Sequence, residues 1–600
     1  MLYKFLAAAC FCGAVAFAQQ PEKPQVLFSG SPRAAQPKAP NPASSAITDA
    51  ERMAVAITAW DLDVHLVPSQ QSMEVHARVT LQNDGSAPLS SVPLQLSSTL
   101  HFEQVGLNEK RLPFVQTTID SDADHTAQLR QALISLPEAL APRASLVLTV
   151  DYGGTIPLTA KRLTAIGAPE DAAEASDWDR ISQDFTGLRG FGDVVWYPVS
   201  SVPVSLGRGA TLFTEIGRQK LQSQDATVAL RLTDEFTSDA PTAAILDGHF
   251  VPLNKPASMP SASFPGVITC SLPATRLGFD TPSLFLARRT ETDGDGLRVL
   301  ATDAGNSNAQ GYATAAETAK PLVDTWLGRK QHAPFTILEL PESGDAAAET
   351  GDMLAIPLTS QPPSNLAPMV AHGLAHAAFW SPRAWLNEGV ASFIGALWIE
   401  STQGQTAALE NLNADRSALA LAEPATPGQD AGEDLLHAES AVYYRTKATY
   451  VLWMLRDLAG DKPLESALQA YDPAQDIQPD YFEHLLEKTS GKDLRWFFDD
   501  WVYRDRGLPD LSITAVHFSS EEHQQSLVAV DITNDGYAEA DVPVTVKGLE
   551  ASVTDHVRIP AHGSVTHRMT IQGNPVEVDV NDGSVPEVQD SIHRRTINGG

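Results

Sequence analysis

Cysteine is nearly absent from this chain of 600 residues, which contains only Cys10, Cys12 and Cys270. The first two fall within an apolar N-terminal run, so removal of that run as an export signal would leave Cys270 alone. No intramolecular disulfide could then form. The stability of an exported protein of this sequence must therefore come from packed cores and from bound metal.

Basic residues are also scarce, because 42 Lys and Arg face 74 Asp and Glu, for a net charge of −32. A chain with this excess of negative charge repels phosphate groups at long range. The composition therefore argues against nucleic acid or an anionic membrane surface as a partner. The simplest interpretation of the charge is an acidic, solubilising surface.

Long apolar runs are missing after the N-terminus, and no later stretch is apolar enough to predict a span of the bilayer. The N-terminus itself carries Lys4, an apolar run over 5–17, and the small-residue pattern Ala16-Phe17-Ala18. This order is typical of a secretory signal cleaved before Gln19. We expect a protein exported to the periplasm or the extracellular space, with an uncleaved anchor as the alternative.

The rest of the chain has the composition of a globular protein, with 43% hydrophobic and 19% charged residues, and its length predicts several domains. Apolar residues alternate with polar ones over 61–66 and 73–82, which predicts strands, whereas helical spacing dominates later. We expect an α+β multidomain fold. The predicted segments are a signal peptide (1–18), a Pro/Ala-rich linker (19–48), an antiparallel β domain (49–295), a mostly helical domain (296–506), a β-sandwich (507–588) and a disordered tail (589–600).

The most informative motif is His372-Gly373-Leu374-Ala375-His376, within a predicted helix over 366–379. Two histidines four positions apart lie on one face of a helix, so both imidazoles can reach one metal ion. Glu388 follows twelve residues later on a second predicted helix and can supply the third ligand of a zinc site. The alternative interpretation is that both histidines are structural and bind no metal.

Gly373 occupies the position where a zinc peptidase of this type carries a glutamate that accepts a proton from the attacking water. Glycine has no atom that can do this, and it costs about 1 kcal/mol relative to alanine within a helix. One hypothesis is that the missing side chain leaves room for a ligand or another backbone. The other hypothesis is simple drift of the sequence after the activity was lost. Because the base is the missing element, we expect some gain of hydrolysis in Gly373→Glu.

With these residues in view, the chain resembles the aminopeptidase N family of gluzincin zinc metallopeptidases over residues 50–506, as a divergent member with His-Gly-Leu-Ala-His in place of the usual motif. The motifs that carry the resemblance are Trp385-Leu386-Asn387-Glu388-Gly389-Val390-Ala391, the run 447–455, and Ser490-Gly491-Lys492-Asp493-Leu494 with the Trp496-Phe497-Phe498 that follows. The resemblance implies an N-terminal β saddle, a thermolysin-like domain and an Ig-like β-sandwich. It also implies zinc as cofactor, held by His372, His376 and Glu388, and a peptide as substrate.

Several positions depart from the pattern of that family. The interval from His376 to Glu388 is short, and the exopeptidase motif survives only as Glu349, which the resemblance implies to bind the amino group of a substrate. Gapless alignment places Arg445 where the family has a tyrosine that stabilises the oxyanion. A shift of one residue would place Tyr444 there instead, as the candidate catalytic tyrosine.

Tyr443 stays open as an alternative to Tyr444, and both could instead be packing aromatics. Arg445 could bind the carboxylate of a substrate or be an exposed helix arginine.

Two functions of different classes follow from the sequence. The first is an exported zinc aminopeptidase homologue that binds zinc and peptides, with impaired hydrolysis. The second is a noncatalytic peptide- or protein-binding module of the cell envelope that retains the peptidase fold. An adhesion or scaffold protein that uses only its β domains is a weaker third possibility.

Overall fold

The computed structural model describes residues 47–208, 211–294, 296–328, 334–423, 433–520, 525–589 and 592–597. The predicted signal peptide (1–18) and nearly all of the predicted linker (19–48) lie outside these ranges. Three regions follow one another along the described chain: a β-rich first region, a helical second region that begins with a five-stranded sheet, and a β-sandwich. The fold is therefore α+β, as the sequence predicts.

The first region is built mainly from strands and four helices. Its strands are β1 Val55–Val67, β2 Ser72–Asn83, β3 Leu89–Ser97, β4 Leu100–Leu107, β5 Lys110–Arg111, β6 Phe114–Asp120, β7 Gln128–Leu140, β8 Ser145–Thr155, β9 Phe185–Leu188, β10 Thr227–Phe236, β11 Ala243–Leu246, β12 His249–Val251, β13 Gly266–Arg276 and β14 Leu284–Ala287. Its helices are α1 Asp49–Met53, α2 Lys161–Ala165, α3 Glu170–Ser176 and α4 Thr211–Ser223.

These strands form three sheets, in the orders β13-β10-β1-β2-β8-β4-β5, β3-β7-β6 and β12-β11-β14-β9. The predicted alternation is confirmed, because Leu62 and Val64 on β1 face Ala77 and Val75 on β2, and all four are buried. The prediction of an antiparallel domain is wrong for one pair of strands: β1 and β10 run parallel. Parallel neighbours need a long crossover connection, and the many residues between these two strands provide one.

The second region begins with a five-stranded sheet in the order β15-β16-β17-β19-β18. These strands are β15 Thr290–Gly294, β16 Leu297–Ala301, β17 Phe335–Glu339, β18 Ala348–Thr350 and β19 Met353–Ile356. Because β15 pairs with β16, the predicted boundary at residue 296 divides a hairpin, and this sheet begins before it. The small sheet of the first region packs on this one through Phe185, Phe285, Leu338 and Met353, which share one buried cluster.

Helices make up the remainder of the second region. They are α5 Asn306–Leu327, α6 Pro363–Ala378, α7 Ala384–Gln403, α8 Gln405–Asn413, α9 Arg416–Ala422, a π-helix Val442–Lys447, α10 Ala448–Ala459, α11 Asp461–Ala470, α12 Tyr481–Ser490 and α13 Arg495–Trp501. Short 3₁₀ turns occur at Pro68–Gln70, Leu206–Arg208 and Pro473–Gln475. No helix within the described ranges combines the length and the apolar character that crossing a bilayer requires.

The third region is a sandwich of two antiparallel sheets, β20-β21-β24 and β23-β22-β25-β26. Its strands are β20 Leu511–Ser520, β21 Gln525–Asn534, β22 Ala540–Gly548, β23 Ser552–Ile559, β24 Gly563–Gln572, β25 Pro575–Val580 and β26 His593–Thr596. It shares one continuous hydrophobic cluster with the helices.

The predicted disordered tail (589–600) is wrong for β26, which pairs with β25 from Glu577 to Val580. Glu587 explains why this segment returns to the sandwich. Its carboxylate is completely buried, accepts hydrogen bonds from the backbone N–H of Leu511 and the side-chain amide of Asn581, and lies 2.9 Å from Nε2 of His593. A buried carboxylate with several donors is a strong local constraint on the chain.

We expect Glu587→Ala to destabilise the protein by about 3 kcal/mol, because it leaves buried donors of Leu511 and Asn581 without an acceptor. Equilibrium urea unfolding measures the effect. The matched control is Glu550→Ala, at an exposed turn position. Equal unfolding midpoints for the two variants would contradict the role of Glu587.

Candidate metal centre

The two predicted histidines lie side by side on α6. Their ring centroids are 4.9 Å apart, and each side chain is about 15% exposed or less. One helical turn separates them, as their spacing requires. Nε2 of His372 is buried and has no well-aligned hydrogen-bond partner, although a carboxylate oxygen of Glu349 lies 3.3 Å away. An orphaned imidazole nitrogen next to a second imidazole is the arrangement that a shared metal ion would satisfy.

Glu349 approaches this pair from β18, at the edge of the five-stranded sheet. Its Oε2 lies 3.3 Å from Nε2 of His372. One ligand atom from each of Glu349, His372 and His376 lies within 4.8 Å of the others, and these three form the one such group of potential ligands in the described part of the chain. Glu349, to which the resemblance assigns the binding of substrate, therefore lies among the potential metal ligands.

The position of Glu349 depends on the first region of the protein. Asp280 accepts hydrogen bonds from the hydroxyl of Thr350 (2.7 Å) and the backbone N–H of Gly351 (2.6 Å). Gly248, at a φ of +73°, lies so close that an added Cβ would be 2.6 Å from the carbonyl oxygen of Thr350. Two contacts from the first region thus hold the turn that follows Glu349.

Glu388, on α7, lies on the other side of the pair. Its Oε1 is 3.7 Å from Nε2 of His376, while its Oε2 accepts hydrogen bonds from Nε (3.0 Å) and Nη2 (2.7 Å) of Arg445. Gly389 allows this approach, because an added Cβ would be 2.8 Å from the Cβ of Ala448. The carboxylate of Glu388 therefore lies near the metal site but is bound to Arg445. Its assignment as a metal ligand stays a prediction.

The predicted tyrosines lie in the π-helix, an irregularity that is frequent at functional sites. Tyr443 donates its hydroxyl to the carbonyl oxygen of Ala422, so that hydroxyl is directed to the backbone. Tyr444 is buried and packs edge-on against Phe279, with 5.5 Å between ring centroids. The Nζ of Lys220, from α4, lies 5.4 Å from the same Phe279 ring. Tyr444 has Glu388 and Arg445 among its electrostatic neighbours, whereas Tyr443 has Glu423 and Asp505. Tyr444 is therefore the tyrosine nearer the site, and its catalytic role stays a prediction.

Gly373 faces the sheet below α6. A Cβ added there would lie 2.4 Å from Cζ of Phe335, which is buried on β17. The space that a side chain at this position needs is therefore filled by an aromatic ring. The neighbour of Gly373 is thus a core side chain and not another backbone, and this packing is compatible with both hypotheses for the glycine.

The charges of the site favour the ionised carboxylates. Burial would raise the pKa of Glu349, but its interactions with His372, His376 and Arg445 outweigh it and lower the pKa to about 2. The pKa of Glu388 is also lowered, because Arg445 and His376 outweigh its burial. Burial lowers the pKa of His376, which favours the neutral imidazole that binds metals.

These residues fit a zinc ion. Ligand atoms about 2.0–2.1 Å from a tetrahedral zinc lie roughly 3.3–3.5 Å apart. The separations of His372 from Glu349 (3.3 Å) and of His376 from Glu388 (3.7 Å) are close to that value. Two imidazoles and a carboxylate are also a ligand set that zinc prefers.

The sequence did not identify several residues that shape the site. No motif or spacing marks Phe335, Asp280 or Lys220. For Arg445 the sequence offers two roles, and neither is an ion pair with Glu388. Each of these residues is brought in from a distant part of the chain. No local pattern in the sequence signals such contacts.

Comparison with known proteins gives limited similarity. No protein-family model matches the chain. A relative described as aminopeptidase A from Gloydius brevicauda is 26% identical over 165 residues, which are 25% of this chain and 17% of the relative. The match therefore spans less than a fifth of that protein.

Two solved structures are of a mutant M1 zinc metallopeptidase from Deinococcus radiodurans. One is bound to a Tyr-Ser-Ala substrate and is 18% identical to this chain; the second is 17% identical. Each comparison covers 76% of this chain and 96% of the other, with a TM-score of 0.45. Similarity at this level leaves the residues of the site as the basis for a function.

We expect Asp280→Ala to loosen the turn that follows Glu349, because a charged acceptor of two hydrogen bonds is lost. Amide hydrogen exchange at residues 350–352 should accelerate by about tenfold or more. Asp239→Ala, which removes an exposed partner of Arg288, is the matched control. Unchanged exchange at Gly351 would show that the turn is held by other contacts.

Proposed function

We propose that this chain is an exported, divergent member of the aminopeptidase N family that binds zinc and peptides where its first and second regions meet. The observation that carries this proposal is the convergence of His372, His376 and a carboxylate around the orphaned Nε2 of His372. When bound, zinc would supply a Lewis acid that polarises a peptide carbonyl and activates water. Export stays a prediction from residues 1–18.

We further propose that hydrolysis by the native protein is impaired. A proton acceptor is missing at Gly373, and the Phe335 ring fills the space from which a side chain there would extend. Loss of a general base typically costs a factor of about 10²–10⁴ in rate. The first region adjoins the site through Lys220, whose charge lowers the pKa of Glu388, and through Phe279, which packs on Tyr444.

A noncatalytic peptide- or protein-binding module is the second candidate. The burial of Phe335 against Gly373 favours this second candidate. Because the ring fills the space beside position 373, a base could be restored there only by repacking the core and not by a single substitution. In that case zinc would be structural or would orient a ligand. Measurements of metal content and of hydrolysis separate the two candidates.

We expect the native protein to contain zinc at one equivalent, and His372→Ala or His376→Ala to lose it, because each removes an imidazole ligand. Elemental analysis of purified protein measures the content. The control is His437→Ala, since that side chain is 79% exposed and pairs only with Asp434 among the described ion pairs. Full zinc content in His372→Ala would refute the proposed site.

Gly373→Glu alone should now give no gain of hydrolysis, because its first side-chain atom collides with Phe335. This expectation replaces the one drawn from the sequence. Gly373→Glu combined with Phe335→Ala removes the obstruction, and we expect a gain of about tenfold or more in kcat/KM on aminoacyl arylamides, below the roughly 10²–10⁴ of a well-placed base.

The control for this experiment is Gly373→Gln with Phe335→Ala, which has nearly the same shape without a proton acceptor. Equal rates for the two double variants would show that the added carboxylate does not act as a base. Turnover by the native protein at ordinary aminopeptidase rates would contradict impaired hydrolysis directly.

A further inference from the structure

Two carboxylates flank the histidine pair, and their surroundings differ. Glu349 lies 3.3 Å from Nε2 of His372, and Glu388 lies 3.7 Å from Nε2 of His376. A zinc site of this kind uses one protein carboxylate and keeps its remaining position open. The two acids are therefore competitors for one role.

Arg445 binds Glu388 directly. Both its Nε and its Nη2 donate to the same oxygen of Glu388, at 3.0 and 2.7 Å, and the carboxylate is only 9% exposed. Charge-assisted hydrogen bonds are stronger than those between neutral groups, although the Arg445 side chain is 35% exposed. A metal ion bound to Glu388 would also place its positive charge next to the guanidinium, at a cost that low exposure to solvent increases.

The distances favour the other acid. Glu349 shares a group with both histidines in which the ligand atoms lie within 4.8 Å of one another, and Glu388 does not belong to this group. The distance from Glu349 to His372 equals the spacing expected for two ligands on one tetrahedral zinc, roughly 3.3 Å. Glu349 is also held in place by the turn that Asp280 binds.

We propose that Glu349 is the carboxylate ligand of the metal in this protein, and that Arg445 is a positioning residue that holds Glu388 out of the coordination. The inference rests on the proposed function, because it assumes that the histidine pair binds zinc. It has a chemical consequence for the ligand. A carboxylate bound to the metal is no longer available to pair with the amino group of a peptide, so selection for a free N-terminus is lost.

The test is zinc affinity, measured by competition with a chromophoric chelator after the full-length protein has been stripped of metal. We expect Glu349→Gln to weaken binding by about 100-fold or more, beyond the roughly 10–100-fold typical of a residue that only orients a ligand. We expect Glu388→Gln to weaken binding by less than about tenfold, because Glu388 makes no bond to the metal and contributes only through its charge. Glutamine preserves the shape of each side chain, and thermal unfolding of the metal-free variants checks that each is folded.

A second variant tests the role of Arg445. Arg445→Ala releases Glu388, so adding this substitution to Glu349→Gln should recover at least about tenfold of the lost affinity. Adding Arg445→Ala to the Glu349→Gln/Glu388→Gln variant should recover less than about threefold, from removal of the guanidinium charge alone. The visible absorption of the cobalt-substituted proteins reports independently whether a carboxylate has left the coordination sphere.

The outcomes are separable. Three results would each overturn the proposal. They are loss of zinc in Glu388→Gln with retention in Glu349→Gln, comparable losses in both variants, and retention in both. Absence of rescue by Arg445→Ala would overturn the role given to that residue. His372→Ala serves as the reference: if it still binds zinc, the failure is that of the proposed function and not of the choice between carboxylates.

Discussion

The contact between Gly373 and Phe335 determines how α6 lies on the five-stranded sheet. Because the glycine has no side chain, the helix can approach the ring on β17 closely, and the ring is buried in return. Close packing of this kind leaves no space for a larger residue without movement of the core. The helix that carries both histidines is therefore positioned by the same contact that excludes a glutamate from between them.

Charge balance is the second constraint on the site. Two buried carboxylates would repel each other, but His372 faces Glu349 and Arg445 faces Glu388, so each acid has a cationic or potentially cationic neighbour. Lys220 adds a further positive charge from the first region, and it contributes to the lowered pKa of Glu388. The site thus keeps both acids ionised within a poorly solvated environment, which is a property of metal centres and of ligand sites for polar groups.

Features that depend on local spacing were predictable from the sequence. The alternation in β1 and β2 and the four-residue spacing of His372 and His376 correctly placed those residues on strands and on one helical face. Features that depend on distant contacts were not. The parallel pairing of β1 with β10, the return of β26 to the sandwich and the ion pair of Arg445 with Glu388 each join segments far apart in the chain. The order of the residues gives no sign of which distant partner will be adjacent.

The hydrogen bonds from Thr350 and Gly351 to Asp280 cross from one region of the protein to another. Glu349 precedes them directly and belongs, like the histidines, to the second region. A hinge motion that withdrew Asp280 would therefore release the turn next to Glu349 and loosen the carboxylate beside His372. By thermodynamic reciprocity, an ion that fixes Glu349 beside His372 would favour the arrangement in which Asp280 holds this turn, by the same free energy. Occupancy of the site would then be coupled to the contact between the regions.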